Sequence, residues 1–201
     1  MLVILKMDSC TFVHPWQKNT IRGKNSSMTD SRFPLGPFVI QDDYTSEELE
    51  TLIDIIETIP ADYRRLTENL TEADLSKTYR EASWTIRQLV HHVADIQFLH
   101  YFRMKKALTE PDYKDMTVID MNAWAATADS LSAPITVALQ MFEGVHHRYA
   151  FLARTLTEEQ LTIRYFHPAR QIWFSQKQAL AISVWHTQHH LAHIGLALGE
   201  V

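Results

Sequence analysis

The chain has 201 residues, 46% apolar and 21% charged, with a net charge of −5. This suits one ordinary globular domain with a sizeable core, and five glycines and seven prolines exclude low-complexity or collagen-like chains. No apolar run approaches the ~18 residues that cross a bilayer, and the acidic balance lacks the electrostatic footprint of a nucleic-acid binder. The single cysteine, Cys10, excludes an internal disulfide framework or a thiolate metal cluster. Against this background eleven histidines stand out, ten of them between His91 and His193.

Residues 1–27 carry Lys6, Lys18, Arg22 and Lys24 against Asp8, a local +3 that leaves −8 on the remainder. The apolar start Met1–Leu5 is too short for a secretory core and no A-x-A-like site follows, so a cytoplasmic location is the default. Residues 1–27 therefore read as an N-terminal extension, disordered or upstream of a start at Met28, and residues 28–201 as the working domain.

Pro34 to Thr45 reads as an extended lead-in. Thr45-Ser-Glu-Glu48 is a capping box, followed at helical spacing by Leu49, Leu52, Ile53 and Ile56. Pro60 should kink or break this element, which resumes through Tyr63, Leu66 and Leu70. Thr71–Asp74 offers a one-turn helix, and Tyr79–Trp84 reads as loop. Thr85-Ile-Arg-Gln88 is a second capping box and opens a periodic stretch to about Leu108. Thr109 to Ala133 is a connection of ~25 residues, too long for a simple hairpin between helices, with a short helix near Met121–Ala126. A third long helix starts with Pro134 in its first turn and runs to about Thr155. Thr157-Glu-Glu-Gln160 caps a short turn, and Tyr165–Pro168 with Gln171–Phe174 fits a small β-hairpin across Ala169-Arg170. Ser175-Gln-Lys-Gln178 opens the last helix, to about Leu198. Four long helices with little strand make an all-α four-helix bundle, and the long connection is what a crossover to a parallel neighbour requires.

On the last helix His186, His189, His190 and His193 fall within an arc of roughly 100°, flanked by Leu180, Val184, Leu191 and Ile194 on one edge and Ile182 and Leu196 on the other. Lys177, Gln188 and Gly195 occupy the opposite, solvated-looking side. Inward imidazoles are costly unless their nitrogens are satisfied, and the i, i+4 pairs His186–His190 and His189–His193 both have a chelating spacing. A third ligand is best sought at His92, which shares a face with Leu89, Ile96 and Leu99. His91 lies about 100° around that helix, a rim position. Asp95 is placed to orient an imidazole or take a proton. His100, His146, His147 and His167 have no spacing that promotes them beyond structural or pocket-lining roles. The zincin pattern fails at Thr187, no G-x-S-x-G elbow occurs, and scattered glycines build no phosphate loop. Trp84, Trp124, Trp185, Tyr79 and Arg148 are candidate pocket walls.

Trp84-Thr-Ile-Arg-Gln-Leu-Val-His-His-Val-Ala-Asp95 together with Trp185-His-Thr-Gln-His-His-Leu-Ala-His-Ile194 resembles the DinB superfamily, and within it the YfiT-type metal-dependent hydrolases. Pro34-Leu-Gly, Tyr79-Arg80, Asp120, Ala123-Trp124 and Phe166-His-Pro168 add to the likeness, which spans about Phe33 to Ile194. The resemblance implies an up-down-down-up bundle, a homodimer, and one divalent ion, nickel or zinc, held by His92, His186 and His190.

Three imidazoles leave coordination positions open for water or substrate, and a metal can bring bound water to a pKa of about 7. The expected activity is hydrolysis of a small-molecule substrate, with Asp95 or His91 as candidate catalytic groups for proton handling. Two alternatives share the ligands. Some superfamily members resemble S-transferases or isomerases in which the metal activates a low-molecular-weight thiol such as bacillithiol. The other alternative is a non-catalytic metal-binding stress protein. No nucleic-acid or membrane partner is expected, and any reacting thiol must come from outside the chain.

Overall fold

The computed structural model describes residues 30–110 and 117–200. The extension placed at 1–27, with Cys10, lies outside the described residues.

Helix α1 (Ser46–Thr67) is followed by the single turn α2 (Glu72–Leu75) and then α3 (Ile86–Thr109). Two short helices, α4 (Met121–Ala125) and α5 (Ala128–Ser132), precede α6 (Ile135–Arg154) and α7 (Glu158–Thr162). Strands β1 (Arg164–His167) and β2 (Ile172–Ser175) pair antiparallel and lead directly into α8 (Gln176–Leu198). Reciprocal capping boxes start α1, α2, α3, α7 and α8 at Thr45, Thr71, Thr85, Thr157 and Ser175. Each satisfies two backbone groups that a helix start leaves unpaired. Gly199, at φ 76°, ends α8 in the left-handed conformation that glycine adopts without strain.

Helices α1 and α3 sit diagonally, each packed mainly between α6 and α8. One core cluster joins the start of α1 (Leu49–Ile56) with Tyr101 and Met104 late in α3, Tyr149–Ala153 late in α6, and Leu180–Val184 early in α8. The other joins Ile59 and Tyr63 of α1 with Ile86–Ala94 early in α3, Ile135–Phe142 early in α6, and Ile194 late in α8. The directions are therefore up, down, down, up. The stretch through α4 and α5, which packs on α3, is the crossover that returns the chain to the start of a parallel α6.

Three local expectations change. Pro60 does not break α1, which is one helix from Ser46 to Thr67. Proline removes the N–H that would bind the carbonyl four residues earlier, and here His146 of α6 donates Nδ1–H to that carbonyl, Ile56 O, at 2.5 Å. Pro134 is the N-cap of α6 rather than its first helical residue. The supposedly solvated side of α8 is largely covered: Gly195 is buried and Gln188 half-buried. Lys177 pairs with Asp43 at 3.0 Å and Glu158 at 3.4 Å. Among the described residues no helix is long and apolar enough to cross a membrane.

Candidate metal centre

Helix α3 carries His92 and helix α8 carries His186 and His190, and one ligand nitrogen from each lies within 4.8 Å of the other two. His92 and His190 are buried, and His186 is half-buried with its ligand nitrogen inside the cluster. His92 Nε2 and His186 Nε2 are 3.2 Å apart, close to the edge of about 3.3 Å expected for two nitrogens bound at about 2.0–2.1 Å to one tetrahedral ion. Burial pushes the His92 imidazole down to about 3 and holds His186 and His190 well below the usual histidine range. All three are neutral at pH 7, with lone pairs available to a divalent cation. The donor set fits a divalent transition-metal ion of the kind that imidazole binds.

The second ring nitrogens have partners too. Gln97, buried on α3, lies 3.4 Å from His186 Nδ1, and Ser183 donates its hydroxyl to Gln97 Oε1 at 2.5 Å. His190 Nδ1 is 3.3 Å from His193 Nδ1, and the His193 ring stacks on Tyr79 at 3.8 Å. The loop that places Tyr79 and Trp84 is closed by a bridge between Thr78 and Thr85. Trp84 packs on His92 with ring centroids 4.5 Å apart, forming an apolar wall.

The sequence candidates therefore separate. His92, His186 and His190 come together. His189 and His193 also form a second nitrogen cluster with His190, and His189 stacks on the buried Trp185. His91 faces the other way, with Nε2 3.4 Å from Ala133 O. Asp95 lies in the field of Asp129, on the same side as His91, and desolvation lifts its carboxyl to about 6. Arg148 stacks over Tyr101 and lines a groove with Phe151 and Leu152 rather than the triad. Trp124 is exposed on α4.

The sequence pattern did not single out Gln97 or Arg103 on α3, and it gave His100 on α3 and His167 on β1 no more than structural or pocket-lining roles. His100 lies 6.1 Å from His186, centroid to centroid. The usable signal was the helical stripe: Arg103 falls three turns from His92 on the same face.

Comparison with known proteins follows the same lines. The family model for the DinB superfamily matches residues 55–194. A Bacillus pumilus protein named "Putative metal-dependent hydrolase" is 41% identical over 167 residues, 83% of this chain and 94% of its own. A Halalkalibacterium halodurans protein of the same description is 40% identical over 84% of this chain and 97% of its own. The structure of YfiT from Bacillus subtilis, described as an unusual four-helix bundle, superposes with a TM-score of 0.79 at 32% identity, covering 84% of this chain and 97% of that one. A mycothiol-dependent maleylpyruvate isomerase shares the fold at a TM-score of 0.60 and 19% identity, over 73% of this chain and 60% of that one. With most of its length matched by the family model and by relatives of this kind, the chain belongs to the DinB superfamily, among its YfiT-like members.

Proposed function

We propose that the protein is a metal-dependent hydrolase of a small-molecule substrate, with its divalent ion held by His92, His186 and His190. The observation that carries this reading is the donor set: three neutral imidazoles from two helices, with two nitrogens 3.2 Å apart. Nickel or zinc bound there supplies Lewis-acid activation of water or of a substrate carbonyl. Gln97 and His193 fix two of the three rings through their Nδ1 atoms. Trp84 shields His92 and keeps that side of the site dry. The names carried by the relatives support the same reading.

A second reading is favoured by one comparison. The isomerase that shares this fold is mycothiol-dependent, and a three-imidazole site suits a thiolate ligand as well as water. In that reading the protein transfers or uses an external low-molecular-weight thiol such as bacillithiol. Both readings include a homodimer, whose mass light scattering measures.

The test is metal content by elemental analysis in His92→Ala, His186→Ala and His190→Ala, coupled to an activity screen of the metal-loaded protein with and without small thiols. Metal retained at the wild-type level in all three variants sinks the metal reading. Product formed only with thiol selects the second reading over the first.

A further inference from the structure

His186 of the triad lies 6.1 Å, ring centroid to ring centroid, from His100, which belongs to a cluster built from α3 and the hairpin, two elements that pack together. Helix α3 contributes His100 and Arg103, one turn apart. The hairpin contributes His167 from β1 and Arg170 from the turn, where the Arg170 N–H donates to His167 O at 3.1 Å. The positive field of Arg170 reaches His100, His167 and His186, and that of Arg103 reaches His100 and His167. The Nδ1 atoms of His100 and His167 are sequestered from solvent without a hydrogen-bond partner among the described residues. Buried nitrogens of this kind are costly until a ligand satisfies them. Burial keeps both imidazoles neutral, so they offer N–H or lone pair while the two guanidinium groups supply the charge.

We propose that His100, His167, Arg103 and Arg170 form an anion subsite that holds the carboxylate of a substrate or co-substrate beside the metal triad. This rests on the metal reading above, because the subsite sets the charge and orientation of whatever reaches the ion. Guanidinium groups match carboxylate geometry and are weakly hydrated, so they bind such an anion with little desolvation penalty. The reacting atom then lies toward His186 while the anionic end is anchored in the cluster. Substrates of this enzyme are accordingly small carboxylates, or thiols bearing one.

The test uses the full-length protein loaded with cobalt(II) and titrated with mercaptoacetate or with its neutral, size-matched amide, mercaptoacetamide. The sulfur-to-cobalt charge-transfer absorption reports binding. Arg170→Gln, on a half-exposed turn, is expected to weaken mercaptoacetate about tenfold and leave mercaptoacetamide unchanged. His167→Phe keeps the ring but removes its nitrogens, and the same selective loss of about threefold is expected. Selective loss of the acid in either variant supports the subsite. Normal cobalt uptake with equal losses for both thiols, or with no loss for either, overturns the subsite alone. Failure of the wild-type protein to take up cobalt overturns the metal reading, and the subsite with it.

Discussion

His146 of α6 donates its Nδ1–H to the Ile56 carbonyl of α1, the acceptor that Pro60 leaves without its helical N–H. The imidazole is fully buried and packs against Phe142 at 4.2 Å. One side chain thus repairs a helix in another element and ties α1 to α6 at mid-bundle. His146→Leu removes the donor and leaves a buried carbonyl unpaired, a loss of about 1–3 kcal/mol. Urea unfolding of the two proteins measures it. Equal midpoints would show that the Ile56 carbonyl has no need of the histidine. In a Pro60→Ala background, which restores the helical N–H, the same substitution is expected to be milder.

The same residue makes stability depend on pH. Burial pushes His146 down to about 4 from the usual 6.5, and His167 down to about 3. Between those folded values and 6.5 the unfolded chain binds protons that the folded chain does not, so stability is full above about 6.5 and is lost as pH falls toward 4. Asp95, lifted to about 6, acts in the opposite sense between 3.8 and 6. Metal-free protein is expected to lose stability from pH 7 to pH 5. His146→Gln keeps a donor but cannot titrate, and it should flatten that loss by up to about 1.4 kcal/mol per pH unit. Urea midpoints at three pH values decide it: parallel curves for the two proteins exclude His146 as a contributor.

Gln97 and His193 touch two of the ligands rather than the reacting atoms. Their contacts to His186 Nδ1 at 3.4 Å and His190 Nδ1 at 3.3 Å hold the two ligand rings in orientation. Gln97→Leu and His193→Phe are each expected to weaken metal binding by about 10–100-fold with little change in helicity. Competition with a chromophoric chelator gives the affinity, and the cobalt(II) absorption spectrum reports ring geometry. Gln97→Glu, which offers a carboxylate to His186 Nδ1–H, should restore affinity. Wild-type affinity in Gln97→Leu and His193→Phe would place both residues in packing alone.

Much of this architecture was legible because the signals are local. Five capping boxes announce five helix starts, and the alternation of long and short helices follows from Thr45, Thr71, Thr85, Thr157 and Ser175. Helix α5 escaped because Thr127 makes no side-chain cap there. Within the site, periodicity could place His92 and leave two pairs open on α8. It could not choose between them, because His186, His189, His190 and His193 share one arc and differ only in what α3 and the 79–84 loop bring against them. The family resemblance pointed to His186 and His190, and the fold sets His189 against Trp185 and His193 against Tyr79, with His186 and His190 facing His92. His100 and His167 carry no spacing relation at all. They meet because the hairpin folds back onto α3, a contact between residues 67 positions apart that no window of sequence contains.

Metal removal separates a catalytic ion from a structural one. The triad joins only α3 and α8, and those helices are also held by Ser183 to Gln97 at 2.5 Å and by Ile194 packed with Leu89 and Val93. Helix α1 is tied to α8 independently, Tyr63 donating its hydroxyl to Thr187 O at 2.7 Å. The bundle therefore keeps its core and its caps without an ion, and chelated protein is expected to retain its helical circular dichroism at 25 °C. Binding to the folded state alone adds about 2.7 kcal/mol when free metal is at 100 times its dissociation constant, so readdition should raise the thermal midpoint by several degrees and restore activity together. Chelated protein that is already unfolded at 25 °C would make the ion a structural staple and remove the main ground for placing catalysis at the triad.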